Sequence, residues 1–168
     1  MPNYLEDARH AAEVTPMPAG FWIKALDEDD LQDVCRVEQT VFPREAWSEV
    51  MLHEELIGPF RVYVGVFDEN NQMVGYAGTM HSPETAEIMT IGVIPEARGH
   101  GLGKAMTQAL INASRILRTD SIFLEVRERN QVAQTLYEEM GFEEISRRPR
   151  YYHNPTEDAV IMRLLLDY

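Results

Sequence analysis

The six residues Arg98-Gly99-His100-Gly101-Leu102-Gly103 have the spacing that most narrowly limits what chemistry this chain can do. They follow a strand-like stretch ending at Val93 and open a helix-like one. Three alternate glycines let backbone N–H groups turn toward one point, and a helix start adds partial positive charge. Together these favour a phosphate or pyrophosphate. Arg98 and Lys104 flank the glycines with cations. The alternative is a glycine-rich tight turn with no ligand. Two phosphate motifs do not fit. In G-x-x-x-x-G-K-S/T, Arg98 would stand at the first glycine and Ala105 follows Lys104; in the dinucleotide fingerprint, Lys104 takes the place of the last glycine.

A second candidate is Glu125, in the otherwise apolar stretch Phe123-Leu124-Glu125-Val126. Strand alternation puts Phe123 and Glu125 on one side, Leu124 and Val126 on the other. A carboxylate there is costly to bury alone, which makes it a candidate general base. It could equally reach solvent at a strand end, or pair with Arg127 or Arg129. Tyr137 falls on the apolar face of a helix beside Leu136 and one turn from Met140, where a tyrosine is ordinarily core. Asn130 reads as that helix's N-cap. Arg150-Tyr151-Tyr152-His153 reads as an aromatic loop that lines a pocket or covers a sheet edge. The five histidines have no ligand-like spacing, so no catalytic metal is expected.

The elements that would carry these residues follow from periodicity. Residues 1–20, with three prolines and Gly20, read as a loosely ordered arm, with a short helix over Leu5–Val14 left open. Phe21–Leu26 reads as a strand. Asp27–Phe42 reads as a helix with an acidic first turn, broken at Pro43, and Cys35 is expected in its core face. Ser48 can cap a second helix to about Leu56. Phe60–Asp68 and Met73–His81 alternate as a hairpin, and Thr85–Val93 is a further strand, ended by Pro95. Leu102, Ala105, Met106, Ala109, Leu110 and Ala113 fall on one helical face. Ser121–Val126 is a short strand, Asn130–Met140 a helix capped by Gly141, and Phe142–Arg148 and Asp158–Leu166 the last strands. The predicted fold is mixed α/β, with about seven mostly antiparallel strands and about four flanking helices, in a single domain over residues 21–168.

Composition bounds the partners. The 168 residues include 28 acidic against 15 basic, a formal net charge of −13, which argues against nucleic acid and against anionic membrane. At 45% hydrophobic, the chain is not disordered. A single cysteine excludes an intrachain disulfide and fits a reducing, cytoplasmic setting. No apolar run approaches a membrane span, and the N-terminus has neither the basic start nor the apolar stretch of a signal peptide.

Taken together, the residues resemble the GNAT N-acetyltransferase superfamily. Arg98–Gly103 matches its R/Q-x-x-G-x-G/A acyl-CoA pyrophosphate loop, and the resemblance runs from about Phe21 to Leu166. Leu124-Glu125-Val126-Arg127, Asn130, Ala133, Leu136-Tyr137, Gly141-Phe142, the stretch 147–152, Glu157-Asp158-Ala159, and Phe42-Pro43 followed by Trp47-Ser48 are similar to the ribosomal-protein-alanine N-acetyltransferases of the RimI type. That subgroup acetylates protein α-amines with acetyl-CoA as cosubstrate.

Position by position, the resemblance implies a general base at Glu125 and, at Tyr137, a general acid for the leaving thiolate. It implies cofactor contacts at Ile91, Gly92 and Val93 for the pantetheine arm, at Arg98, Gly99, His100, Gly101, Leu102, Gly103 and Lys104 for the pyrophosphate, and at Asn130. It implies an acceptor groove bordered by Phe42, Trp47, Tyr151 and Tyr152, receiving a protein N-terminus such as that of an alanine-starting, basic ribosomal protein. Two positions depart from the pattern: Arg44-Glu45-Ala46 lengthens the junction after Pro43, and Ile94 stands where many members have aspartate. The alternatives are a GNAT enzyme for small amines or lysine side chains, and a non-catalytic acyl-CoA-binding module.

Overall fold

The computed structural model describes residues 3–168. Seven strands form one sheet in the order β1-β2-β3-β4-β5-β7-β6. These are β1 (Trp22–Ala25), β2 (Arg61–Phe67), β3 (Met73–His81), β4 (Thr85–Val93), β5 (Ser121–Arg127), β6 (Glu143–Tyr152) and β7 (Glu157–Leu165). All neighbours are antiparallel except β4 and β5. Five α-helices flank the sheet: α1 (Tyr4–Glu13), α2 (Leu31–Val41), α3 (Glu49–Ile57), α4 (Leu102–Ile116) and α5 (Gln131–Glu139). Among the described residues, no helix is long and apolar enough to cross a membrane.

Two cores follow from this layering. Met106, Ala109 and Leu110 of α4 pack with Ala8 and Ala12 of α1 on Val62, Val64 and Ala77 of the sheet, and Ala133 and Tyr137 of α5, with Met140 just after it, join that cluster. Val34 and Val37 of α2, with Leu52 and Leu56 of α3, pack on Tyr63, Met73 and Tyr76 of the opposite face. Each fully buried leucine or valine side chain contributes roughly 1.5–3 kcal/mol. Ser48 caps α3 as expected, accepting from the Met51 N–H at 3.2 Å. β6 is a largely exposed edge strand, guarded by Arg147, Arg148 and Pro149.

Four expectations need correction. The arm is not loose over its described part: the short helix left open over Leu5–Val14 forms as α1, packed on the core, and brings the helix count among the described residues to five. Asn3 caps it through the Glu6 N–H at 3.2 Å, and the small residues Ala8 and Ala12, one turn apart, sit flush in the core. The acidic helix is split: Glu28–Asp30 is a 3-10 turn, because the buried Asp30 carboxylate accepts from the Asp27 N–H and pairs with Lys24 at 2.7 Å. Cys35 is half-buried at the margin of the second core rather than inside it, and burial raises its thiol. Tyr151 and Tyr152 end strand β6 rather than sitting in a loop, because β6–β7 pairing resumes at Tyr152↔Glu157 after an irregularity at Arg150.

Candidate active site

β4 and β5 pair only over Thr85–Glu87 and Ser121–Phe123. Past that point the ladder stops, and a cleft of about 450 Å³ opens between Ile88–Ile91 on one wall and Leu124–Arg127 on the other. A bulge in β4 lies next to the parting. The β3–β4 register steps from Gly78↔Thr90 to Thr79↔Ile88, leaving Met89 as the extra residue, and a bulge bends and twists its strand. Beyond Glu87, the β4 edge that faces β5 therefore has no strand partner.

The cleft collects residues that are far apart in sequence. Glu125 and Tyr137 both line it, with Ile91, Asn130, Phe42, Trp47, Tyr151 and Tyr152. β5 alternates as expected, with Ile122, Leu124 and Val126 buried and Glu125 on the other side. Asn130 is the N-cap of α5, accepting from the Ala133 N–H at 3.1 Å. Tyr137 sets its ring edge against Phe142, 5.8 Å between centroids, and burial pushes its phenol up to about 12. Its hydroxyl therefore keeps its proton at neutral pH.

Glu125 is not an unpaired carboxylate. Its side chain is 18% exposed, and Arg148 Nε of β6 lies 3.4 Å from Oε1; neither Arg127 nor Arg129 is its partner. The Glu125 charge raises the neighbouring Tyr151 phenol, and burial together with that charge raises Glu87. Tyr151 and Tyr152 stand edge to face at 5.1 Å. Burial pushes Tyr152 up to about 12, and the Arg127 guanidinium lies over its ring at 4.3 Å.

The glycine loop continues from the same β4 wall through a 3-10 turn at Pro95–Ala97. It does not line the cleft but lies beyond it, at the start of α4. Gly99 and Gly101 have φ of +86° and +80°, which a side chain rarely adopts, and a Cβ on either would meet nothing within 4 Å. A Cβ on Gly103 would touch only Leu136 Cδ1, at 4.0 Å. No side chain caps α4, and its first internal bond runs from the Ala105 N–H to the Gly101 carbonyl. The N–H groups of Leu102, Gly103 and Lys104 thus have no intrahelical acceptor. An open concave face with free N–H donors at a helix start fits a pyrophosphate.

Three neighbouring residues have structural work. A Cβ on Gly92 would lie 3.2 Å from Val41 Cγ1, so this glycine lets α2 close on β4. Arg98 Nε donates to the Val93 carbonyl at 3.1 Å, and the exposed His100 ring sits 5.3 Å from Phe21.

Sequence reasoning missed several groups here. Glu38, 3% exposed, accepts from Tyr76 Oη at 2.5 Å and from the Trp47 N–H at 2.9 Å, and so anchors the α2–α3 junction against the sheet. The signal was legible: Glu38 follows Val34 by four residues on the buried face of α2. Arg127 forms ion pairs with Glu45 and with Glu157, the latter at 3.0 Å, and bridges the junction to the β6–β7 turn. Glu87 carried no such signal, since only the meeting of β4 with β5 sets it beside Glu125.

The acetyltransferase (GNAT) family profile matches residues 21–142. N-alpha-acetyltransferase RimI of Mycobacterium tuberculosis is 32% identical over 157 residues, covering 90% of this chain and 94% of that protein. The crystal structure of the ribosomal-protein-S18-alanine N-acetyltransferase from Escherichia coli superposes with a TM-score of 0.82 at 30% identity, over 88% of this chain and 95% of that one. The NatC complex bound to Gag peptide and CoA has a TM-score of 0.79 at 25% identity, over 88% of this chain and 99% of that one. With its parted β4 and β5, its glycine loop and these relatives, the chain is an N-acetyltransferase and belongs to the acetyltransferase (GNAT) family.

Proposed function

We propose that the chain transfers the acetyl group of acetyl-CoA directly to the N-terminal α-amine of a protein, in a reducing, cytoplasmic setting. The observation that carries this reading is the parting of β4 and β5 at Glu87↔Phe123, with Glu125 and Tyr137 both in the opening. The unpaired edge of β4 near Ile91–Val93 holds the pantetheine arm, and the loop 98–104 holds the pyrophosphate. Asn130 adds a contact from the start of α5.

The chemistry suits an α-amine. Its pKa is about 7.7–8.0, so roughly a tenth is neutral at pH 7; a lysine amine, near 10.4, is neutral about once in several thousand molecules. Glu125, already beside Arg148 and Tyr151, takes the proton that the attacking amine loses. Tyr137, protonated through the neutral range, delivers a proton to the departing thiolate. The leaving thiol has a pKa of about 8.5, so that donation speeds turnover without being indispensable. Phe42 and Trp47 on one side, Tyr151 and Tyr152 on the other, border the groove that takes the extended peptide, and rings with polar tips hold a backbone while excluding water. The relatives named for ribosomal protein S18 alanine and for peptide-bound NatC support a protein acceptor. A basic ribosomal protein tail suits the acidity of the chain.

A panel of peptides supplied with acetyl-CoA tests the reading. A basic peptide with a free N-terminal alanine is expected to be acetylated far faster than the same peptide with its α-amine blocked and its lysines free. Equal rates on the two would move the activity to lysine side chains, and activity confined to polyamines would move it to small amines.

A further inference from the structure

A smaller cavity, of about 220 Å³, lies at the closed end of the cleft, where β4 and β5 still pair. Glu87, Leu124 and Glu125 line both spaces, so the two meet at a pair of carboxylates. Met80, Phe123 and Ile161 supply apolar lining to the small one, and Ser82, Thr85 and Arg148 polar lining. Ser82 and Glu87 are exposed, which opens its rim to water. At about 30 Å³ each, several waters fit inside.

Glu87 and Glu125 project from the same face of the sheet. Ala86, Ile88, Leu124 and Val126 belong to the core that α4 covers, and strand alternation turns the two glutamates the other way. Glu87 stands in register with Phe123, two residues before Glu125 on β5. The groups around Glu87 leave this corner short of positive charge. From β3 it faces the uncharged Met80. From β6 come the Tyr151 phenol and Arg148, whose Nε already lies 3.4 Å from Glu125 Oε1. Arg163 of β7 stands opposite Phe123, on the far side of β5 from Glu87, and Arg127 is taken by Glu45 and Glu157. Burial and the Glu125 charge raise the Glu87 carboxyl, and Arg148 offsets this only in part. Glu87 therefore takes up a proton more readily than a free glutamate does.

The reaction has a proton to dispose of. About nine-tenths of an α-amine is ammonium at pH 7. It gives up one proton before its lone pair can attack the thioester carbon. A second leaves the nitrogen once the N–C bond has formed. The departing sulfur keeps the electron pair of the broken C–S bond and takes up one proton, so each turnover sends one to solvent. On the acyl-transfer reading, on which this inference rests, acetyl-CoA and the peptide occupy the larger cleft during turnover. The small cavity is then the space left beside Glu125.

We propose that Glu87 is the proton-relay residue of the acetyl transfer: it receives the ammonium proton from Glu125, directly or through one water, and passes it to solvent by way of the small cavity. Glu125 returns to its carboxylate form without the peptide having to leave. Glu87 acts through Glu125 and leaves acetyl-CoA binding to other residues.

Steady-state kinetics on an alanine-starting peptide test this. Glu87→Gln should lower kcat about tenfold at pH 7, less than the 10²–10⁴-fold of a lost general base, with KM for acetyl-CoA within about twofold of the wild type. Glu87→Asp should recover most of the rate. Glu87→Ala should be slow in sodium chloride and faster in sodium formate at equal ionic strength, because formate enters beside Glu125 and carries the proton instead; the wild type should respond to neither salt. A wild-type kcat in Glu87→Gln beside a slow Glu125→Gln would overturn the relay and leave the acyl-transfer reading standing. A loss that neither aspartate nor formate repairs would make Glu87 structural and also overturn it. A wild-type rate in Glu125→Gln would overturn the assignment of the base, and the relay with it.

Discussion

Arg127 of β5 pairs with Glu45 in the α2–α3 junction, and with the same guanidinium reaches Glu157 of β7 and covers the Tyr152 ring. One side chain thus ties together both borders of the proposed acceptor groove. Its two partners differ in burial: the Glu157 side chain is 5% exposed, that of Glu45 41%. Removing Arg127 leaves a buried carboxylate without its main counter-charge, whereas removing Glu45 breaks a pair open to solvent. Arg127→Ala should therefore cost about 3 kcal/mol and lower Tm by roughly 6–12 °C, and Glu45→Ala less than about 1 kcal/mol. Glu45→Ala should instead raise KM for peptide more than KM for acetyl-CoA. Thermal melts beside steady-state kinetics check both.

Gly103 isolates the pyrophosphate contact. At Gly101 a new side chain would face left-handed backbone as well as the ligand, so lost binding there is mixed with about 1–2 kcal/mol of strain. Gly103 is helical, and a Cβ on it meets only Leu136 Cδ1 at 4.0 Å. Gly103→Val should keep Tm within a few degrees and weaken CoA binding by about tenfold or more, as expected where a bulky group blocks a charge-assisted N–H contact. Calorimetric titration with CoA measures it, and unchanged affinity would remove the loop from the cofactor site.

The legible and illegible parts of this fold divide along local and long-range lines. β3 and β4 stand where alternation put them, Met73–His81 and Thr85–Val93, and Ser48 and Asn130 cap their helices, because these signals lie within a few residues. The bulge at Met89 has no sequence marker, yet it accompanies the opening of the cleft. Nor could Glu125 be matched to Arg148, 23 positions on by sequence number, when Arg127 and Arg129 stood closer along the chain. That α1 is packed was not legible for another reason: the charges of the arm and the prolines flanking the helix outweighed Ala8 and Ala12, which are core only because α4 lies against them.

For the acid and base, Glu125→Gln should lower kcat by about 10²–10⁴-fold while leaving acetyl-CoA affinity nearly unchanged. Tyr137→Phe keeps the ring against Phe142 and should cost less, since the leaving thiolate is stable enough to depart slowly unaided. With Tyr137 held up to about 12, its proton is retained past the ordinary tyrosine range. Wild-type kcat should accordingly show no loss near pH 10 that disappears in Tyr137→Phe. If both variants turn over at the wild-type rate at pH 7, neither residue is the acid or the base.

His81 makes folding sensitive to acid. In the unfolded chain a histidine takes up a proton near pH 6.5, whereas burial holds folded His81 neutral down to about 4. Between those values the unfolded state binds more protons, so stability falls as the pH drops through the window and is fully kept above it. The slope is about 1.4 kcal/mol per pH unit, and the full loss about 3 kcal/mol. His81→Phe leaves nothing to protonate at this position. Urea unfolding at pH 7, 6, 5 and 4.5 should thus give a steeper decline for the wild type than for His81→Phe, the two curves converging toward the acid end if the variant is the less stable at pH 7. Parallel curves would mean that folded His81 takes up its proton as readily as the unfolded chain does, and that the ring is not as buried as its 8% exposure indicates.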